Sequence, residues 1–215
     1  MTRNLRISLA LVGAFIVALA ALLLTNRTTD DGDDVVGDRS AAIVRADSHR
    51  LSNVADGKVT FVEFLDFECE ACGAMFPVVE QLRRDYGDRV NFVVRYFPLP
   101  SHFNAERAAR AVEAAARQGQ FEQMYKKMYE TQSEWGEQRT PKDELFRGYA
   151  SELGLEMNAF DSAYTDSATL DRIRIDVADG QALGVKGTPT FFVNGTQIKP
   201  RSYADLTNAL DAALG

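Results

Sequence analysis

The chain has 215 residues, 31 acidic and 24 basic, and a formal net charge of −7. Charged residues make up 26% and hydrophobic residues 46%, which excludes a disordered chain and fits one folded domain of moderate size plus a tail. The acidic excess argues against nucleic acid as a partner, and having only Cys69 and Cys72 excludes a multi-disulfide scaffold and an all-cysteine zinc site.

Residues 1–6 carry Arg3 and Arg6, and Ile7 to Leu24 follows as an unbroken apolar run of 18 residues. At ~1.5 Å per residue this run just spans a bilayer core as a helix. Ala18-Leu19-Ala20 offers a signal-peptide cleavage site, but Ala21-Leu22-Leu23-Leu24 prolongs the run, so it reads as an uncleaved signal anchor over 7–24. Positive charge ahead of it places 1–6 in the cytoplasm and everything after residue 24 outside. The expectation is a single-pass cell-membrane protein with an extracytoplasmic domain. Residues 25–45, rich in Asp, Thr and Gly, read as a flexible acidic linker. Their acids lack the regular oxygen spacing and terminal Glu of a calcium loop.

Val59 to Phe67 is β-branched and aromatic on both faces except at Glu63 and Asp66, as in a central strand. Cys69-Glu70-Ala71-Cys72 follows and opens a helical stretch that stops near Gly87. Val90 to Phe97 is a second strand, ended by Pro98 and Pro100, and the βαβ unit makes the two strands parallel. From Ser101 the pattern is helical for about 80 residues. Asn104 can cap AERAARAVEAAARQ, and Phe121, Met124, Tyr125, Met128 and Tyr129 form one apolar stripe that reads as helix packing. Thr140-Pro141-Lys142-Asp143 predicts another helix start, with Leu145, Tyr149 and Leu153 on one face. A further helix is predicted from Ser167 to Leu183, ended by Gly184. Thr190 to Val193, the hairpin signal Asn194-Gly195 and Thr196 to Lys199 return the chain to strand. A last helix starts at Ser202, with Asp205 three residues on and Leu206, Ala209, Leu210, Ala213 and Leu214 inward. The order is βαβ, a helical block, then ββα.

Two cysteines two residues apart suit a redox disulfide, half of a metal site or a structural staple. Zinc wants four ligands, and the chain otherwise offers only His49, His102 and carboxylates. So small a loop removes little unfolded-chain entropy, which weakens the staple. A strand end that opens a helix is where free N–H groups stabilise a thiolate, which favours the reactive pair. Glu63 is either an edge residue reaching solvent or a buried carboxyl with a raised pKa, able to exchange protons with Cys72. Pro77 should kink the cysteine-bearing helix, and Pro189 in Gly187-Thr188-Pro189-Thr190 is a plain turn or a cis-proline. The helical block lies where a lid would be inserted into a sheet domain.

FVEFLDFECEACGAMFP, VRYFPLPSHFNAERAARAVEAA and GVKGTPTFFVNG, in that order and spacing, resemble a DsbA-like thioredoxin-fold thiol–disulfide oxidoreductase over residues 47–214. The resemblance implies an α/β thioredoxin fold: an N-terminal half over 46–100, a helical insertion over 101–165 and a C-terminal half over 166–215, preceded by the transmembrane helix. It makes Cys69 the exposed nucleophile, Cys72 the buried resolving cysteine, Glu63 the buried proton acceptor and donor, Pro77 the helix-kinking residue and Pro189 a cis-proline. Thr188 would pair its backbone with a client strand, with Glu70 and Ala71 also facing substrate; His102 is read as structural. No metal or cofactor is implied beyond a redox-active Cys69–Cys72 disulfide. The strongly oxidising members carry Pro and His where this chain has Glu70 and Ala71. That acid, with Glu68 and Asp66, predicts a higher Cys69 pKa and a weaker oxidant. The implied function is oxidation of cysteines in exported client proteins, with a membrane redox partner that reoxidises the dithiol. A reductase or isomerase of the same fold is an alternative, since Thr188 leaves the direction open. A non-catalytic thioredoxin-like binding or chaperone module is another. With no dimerisation domain ahead of the catalytic region, a monomer is expected.

Overall fold

The computed structural model describes residues 42–55 and 57–215, and the β-branched and aromatic runs build one five-stranded sheet among them. Its strands are β1 (His49–Arg50), β2 (Val59–Leu65), β3 (Val90–Tyr96), β4 (Thr190–Val193) and β5 (Thr196–Ile198). Across the sheet they lie in the order β1-β3-β2-β4-β5. Only β2 and β3 are parallel, with Val59 opposite Val90 and Leu65 opposite Tyr96; the other pairs are antiparallel. The β4–β5 turn places Asn194 at φ 45° and Gly195 at φ 82°, the left-handed pair that a two-residue hairpin requires.

The helices are α1 (Glu70–Tyr86), α2 (Ala105–Ala116), α3 (Phe121–Glu130), α4 (Gln132–Trp135), α5 (Asp143–Glu152), α6 (Met157–Thr165), α7 (Ser167–Ala182) and α8 (Tyr203–Leu214). Together with the mixed sheet they make the expected α/β thioredoxin-like architecture. Strand alternation sorts side chains between two layers. Phe61 and Leu65 of β2, with Phe92 and Phe191 beside them, pack toward α1, α8 and the helical block. Phe61 lies 5.2 Å from Phe92 and 5.4 Å from Phe191 by ring centroids, a cross-strand aromatic row. Val62, Phe64, Val93 and Phe192 face the opposite way, with Ile43, Phe97 and Val185. There α7 comes close: a Cβ on Gly180 would sit 2.8 Å from Phe97. Glu63 shares the parity of Phe61 and Leu65, so it points into the α1 layer.

The Ala-rich α2 buries residues on nearly every side, and its small side chains let α3, α5, α6 and α7 pack around it. The α3 stripe is buried as predicted, and Trp135 is sealed against Phe146 at 4.9 Å. The predicted start at Thr140 is corrected. α5 begins at Asp143, because Asn104 holds the preceding residues instead of capping α2. Its amide donates to the carbonyls of Gln138 and Thr140 and accepts from Lys142 N–H, so a tertiary bond set outcompetes the local cap. Ser202 and Asp205 do form the reciprocal cap of α8.

The linker expected over 25–45 is shorter than that at its C-terminal end. Ile43 is buried, Arg95 donates to the carbonyls of Ala42 (2.6 Å) and Ile43 (2.7 Å), and Arg45 pairs with Asp179. Arg95 is fully buried within β3 and pairs with Asp176 at 2.6 Å and with Asp179. The stub over 1–6, the anchor over 7–24 and the linker over 25–41 lie outside the described residues. Among those described, no helix is long and apolar enough to cross a membrane.

Candidate active site

β2 delivers the chain into a turn, Asp66 to Glu68, and Cys69 takes the N-cap position of α1 with extended backbone (φ −67°, ψ 120°). The first-turn N–H groups of a helix have no partner within it and carry a net positive potential. Here the N–H groups of Ala71 and Cys72 act on the Cys69 sulfur. Cys72, one turn along, is 1% exposed and packs among the apolar residues of the α1 layer. α1 runs through Pro77 without ending.

Opposite the cysteines, the Thr188–Pro189 peptide bond is cis. In its protonated form the Cys69 thiol donates to the Thr188 carbonyl, 3.4 Å away. The resemblance implies an exposed Cys69, and this is corrected: the residue retains only 6% exposure, because the Thr188 segment lies against it.

The two sulfurs are driven apart in acidity. A hydrogen bond from the Cys72 thiol is the largest influence on Cys69. Burial opposes it, and the Thr188 side chain and the two N–H groups add to it, bringing the Cys69 pKa down to about 5. Burial, the bond to Cys69 and the nearby Glu63 push Cys72 well above the ordinary thiol range. Glu63 is 3% exposed. Burial first, then the charges of Cys69 and Glu80, push its carboxyl up to about 8. At neutral pH the arrangement is a Cys69 thiolate, a Cys72 thiol and a protonated Glu63.

Glu70 and Ala71 are exposed at the rim. Glu70 is not among the leading influences on Cys69, which are hydrogen-bond donors and burial. Asp66 and Glu68, expected to add negative charge, are 1% exposed each. Burial pushes both carboxyls up. Asp66 accepts from Glu68 N–H and Leu99 N–H, both at 2.8 Å, and from His102 Nδ1 at 2.7 Å. Glu68 accepts from Asn104 N–H. These contacts fix the turn and are missed by sequence reasoning, although Asp66, a polar break in an apolar strand run, was a signal of the same kind as Glu63.

Gln132 carries no sequence signal at all. From α4 it donates to the carbonyls of Phe67 (2.7 Å) and Cys69 (2.9 Å), and its amide fills the space that a Gly73 side chain would take. Gln132→Ala is expected to lower stability by about 1–2 kcal/mol in urea unfolding, since both bonds are lost at a partly buried site.

The family model described as thioredoxin matches residues 54–212. Among solved structures, a thioredoxin-like oxidoreductase from Silicibacter pomeroyi is similar at 26% identity and a TM-score of 0.67, covering 80% of this chain and 96% of that one. BdbD from Bacillus subtilis is similar at 22% and 0.69, covering 78% and 92%. The α-DsbA1 protein of Wolbachia pipientis is similar at 19% and 0.70, covering 82% and 96%; at these last two identities the likeness concerns the fold. A curated relative from Mycobacterium sp. strain KMS, named Na(+)/H(+) antiporter NhaA 1, is 33% identical over 214 residues. That alignment covers 94% of this chain and 34% of the relative, so the chain spans about a third of the length of the curated relative it matches. By its matched family model over residues 54–212 the chain belongs to the thioredoxin family, and its sheet order and structural neighbours agree with that fold.

Proposed function

We propose that the protein is a thiol–disulfide oxidoreductase that exchanges a Cys69–Cys72 disulfide with cysteines of exported proteins, chiefly as an oxidase. The observation that carries this is the pairing of a readily ionised sulfur with a proton-holding one at a helix start, facing Thr188 and Pro189. In the oxidised protein a client thiolate attacks the Cys69 sulfur. The Cys69–Cys72 bond breaks and Cys72 leaves as a thiolate, taking the proton that Glu63 holds. A second client thiolate attacks the client sulfur of the mixed disulfide, and Cys69 leaves as a thiolate. Two electrons pass from the client thiols to the cysteine pair, the client gains a disulfide, and a membrane redox partner must take those electrons away.

Stabilising the Cys69 thiolate stabilises the reduced protein, and that supports the oxidising direction. Thr188 presents its backbone beside Cys69, where an extended client can pair as an added strand. The apolar run over 7–24, preceded by Arg3 and Arg6, supports tethering of the domain on the extracytoplasmic side.

Equilibration of the pair with glutathione tests the reading. A potential well above ~−200 mV marks an oxidase, and one near the ~−270 mV of thioredoxin marks a reductase. Trapping of client adducts by a Cys72→Ala variant tests whether Cys69 is the sulfur that bonds to the client. A pair that neither glutathione nor dithiothreitol can reduce would overturn the proposal.

A further inference from the structure

One buried constellation takes no part in the exchange described above. The Asp66 carboxylate is closed to solvent and takes three donors, the third being His102. A carboxylate can only accept, so the His102 Nδ1 carries the shared proton and Nε2 is left to titrate. The Asp66 backbone belongs to the turn that holds both sulfurs. Its carbonyl accepts the Cys69 N–H at 3.2 Å, and its N–H acts on the Cys72 sulfur. His102 is therefore one hydrogen bond away from that turn, although it lies 36 residues beyond Asp66 along the chain. Its ring keeps 20% exposure and lines a groove of about 620 Å³.

We propose that the Asp66–His102 pair is an electrostatic positioning device, in which Asp66 holds His102 as the cation that supports the Cys69 thiolate on a rim otherwise marked by Glu70. This rests on Cys69 being the sulfur that exchanges with the client and names a further residue that adds to the support of its charge.

The charges around His102 favour its cation. From the turn it faces Asp66, Glu68 and Cys69. From α2 it faces Glu106, Arg107 and Arg110, and from α5 Asp143. Arg107 pairs with Asp143 at 3.1 Å and Arg110 with Glu106 at 3.0 Å, so those four offset one another and the acidic turn dominates. Burial works against the imidazolium, but the bond and charge of Asp66, then the charges of Cys69 and Glu68, outweigh it and raise the His102 pKa. The cation is thus in place across the range in which Cys69, near 5, ionises.

The test uses the reduced full chain and follows the ultraviolet absorbance of the thiolate against pH. His102→Asn keeps an N–H donor for Asp66 and cannot carry charge. It should raise the Cys69 midpoint so that roughly threefold to tenfold less thiolate forms at a given pH below it. The equilibrium with glutathione should shift toward the protein disulfide by a similar factor, with the urea unfolding midpoint unchanged. High salt should narrow the gap between the two proteins. An H102N variant that titrates like the wild type overturns the proposal. So does an H102A variant whose instability H102N repairs while neither moves the titration, since His102 would then only hold the turn. If the wild-type pair itself neither ionises nor responds to dithiothreitol, it is the redox reading that fails, and this inference falls with it.

Discussion

Cys69→Ser is expected to abolish thiol–disulfide exchange, by at least about 10³-fold, because a serine hydroxyl does not ionise near neutral pH and cannot form the mixed disulfide. Serine replaces one buried atom of similar size, so the far-ultraviolet spectrum and the urea midpoint should change little. The contrast with Cys72→Ala is as informative as the loss. That variant keeps the Cys69 sulfur but lacks the thiol that withdraws it from a client, so it should accumulate adducts that non-reducing electrophoresis resolves. It also loses the largest single influence lowering the Cys69 pKa, the hydrogen bond from Cys72. Its thiolate should therefore titrate at higher pH than that of the wild type. Full activity of the Cys69→Ser protein would leave the pair only a brace at the start of α1 and favour a binding or chaperone module.

The sheet and the cysteine-bearing turn were legible because their signals are local. β2, β3 and the Asn194-Gly195 hairpin follow from short runs of apolar and turn residues, and the α8 cap from Ser202 and Asp205. The cis form of Thr188–Pro189 was one of two readings that a Gly-Thr-Pro-Thr segment allows. What stayed hidden depends on partners far along the chain. Arg95 reads as a blemish in an apolar strand until Asp176 and Asp179, 81 and 84 residues later, enclose it. Gln132 reaches back 65 residues to the Phe67 carbonyl. Asn104 looks like a helix cap because the cap is a local motif, yet its amide is taken by Gln138, Thr140 and Lys142. β1 is two residues long and has no periodicity to detect.

The charge count at the turn misleads for a related reason. Counting Asp66, Glu68 and Glu70 as three nearby negative charges assumed that all three face Cys69 without partners of their own. Folding buries the first two, raises their carboxyl pKa values and gives them donors, while the third points into water. In water a unit charge at ~4 Å is worth about 1 kcal/mol, and less when salt screens it. Direct hydrogen bonds to a thiolate are worth more than that, so the donors from Cys72 and the helix start lead in lowering the Cys69 pKa.

Glu63→Gln is expected to change the pH dependence of folding more than any other single substitution in this site. In the unfolded chain the carboxyl titrates near its ordinary 4.5, and in the fold it titrates near 8. Below pH 4.5 both states hold the proton and the group costs nothing. Between 4.5 and 8 the folded state keeps a proton that the unfolded state has released, so stability falls as pH rises, by ~1.36 kcal/mol per pH unit. Above 8 the loss levels off. The interval of about 3.5 units (8 minus 4.5) gives a total of about 3–5 kcal/mol. Glutamine fills the same space and cannot ionise in either state, so the Glu63→Gln protein lacks this slope whatever its stability at acid pH. Urea unfolding from about pH 4 to about pH 9, with the Cys69–Cys72 disulfide formed so that neither sulfur titrates, should show the variant gaining on the wild type by that amount. The disulfide removes the Cys69 charge but leaves burial, the larger cause of the raised pKa. Parallel stability curves would mean that Glu63 ionises freely in the fold, and with that the proton assigned to Cys72 during exchange would lose its donor.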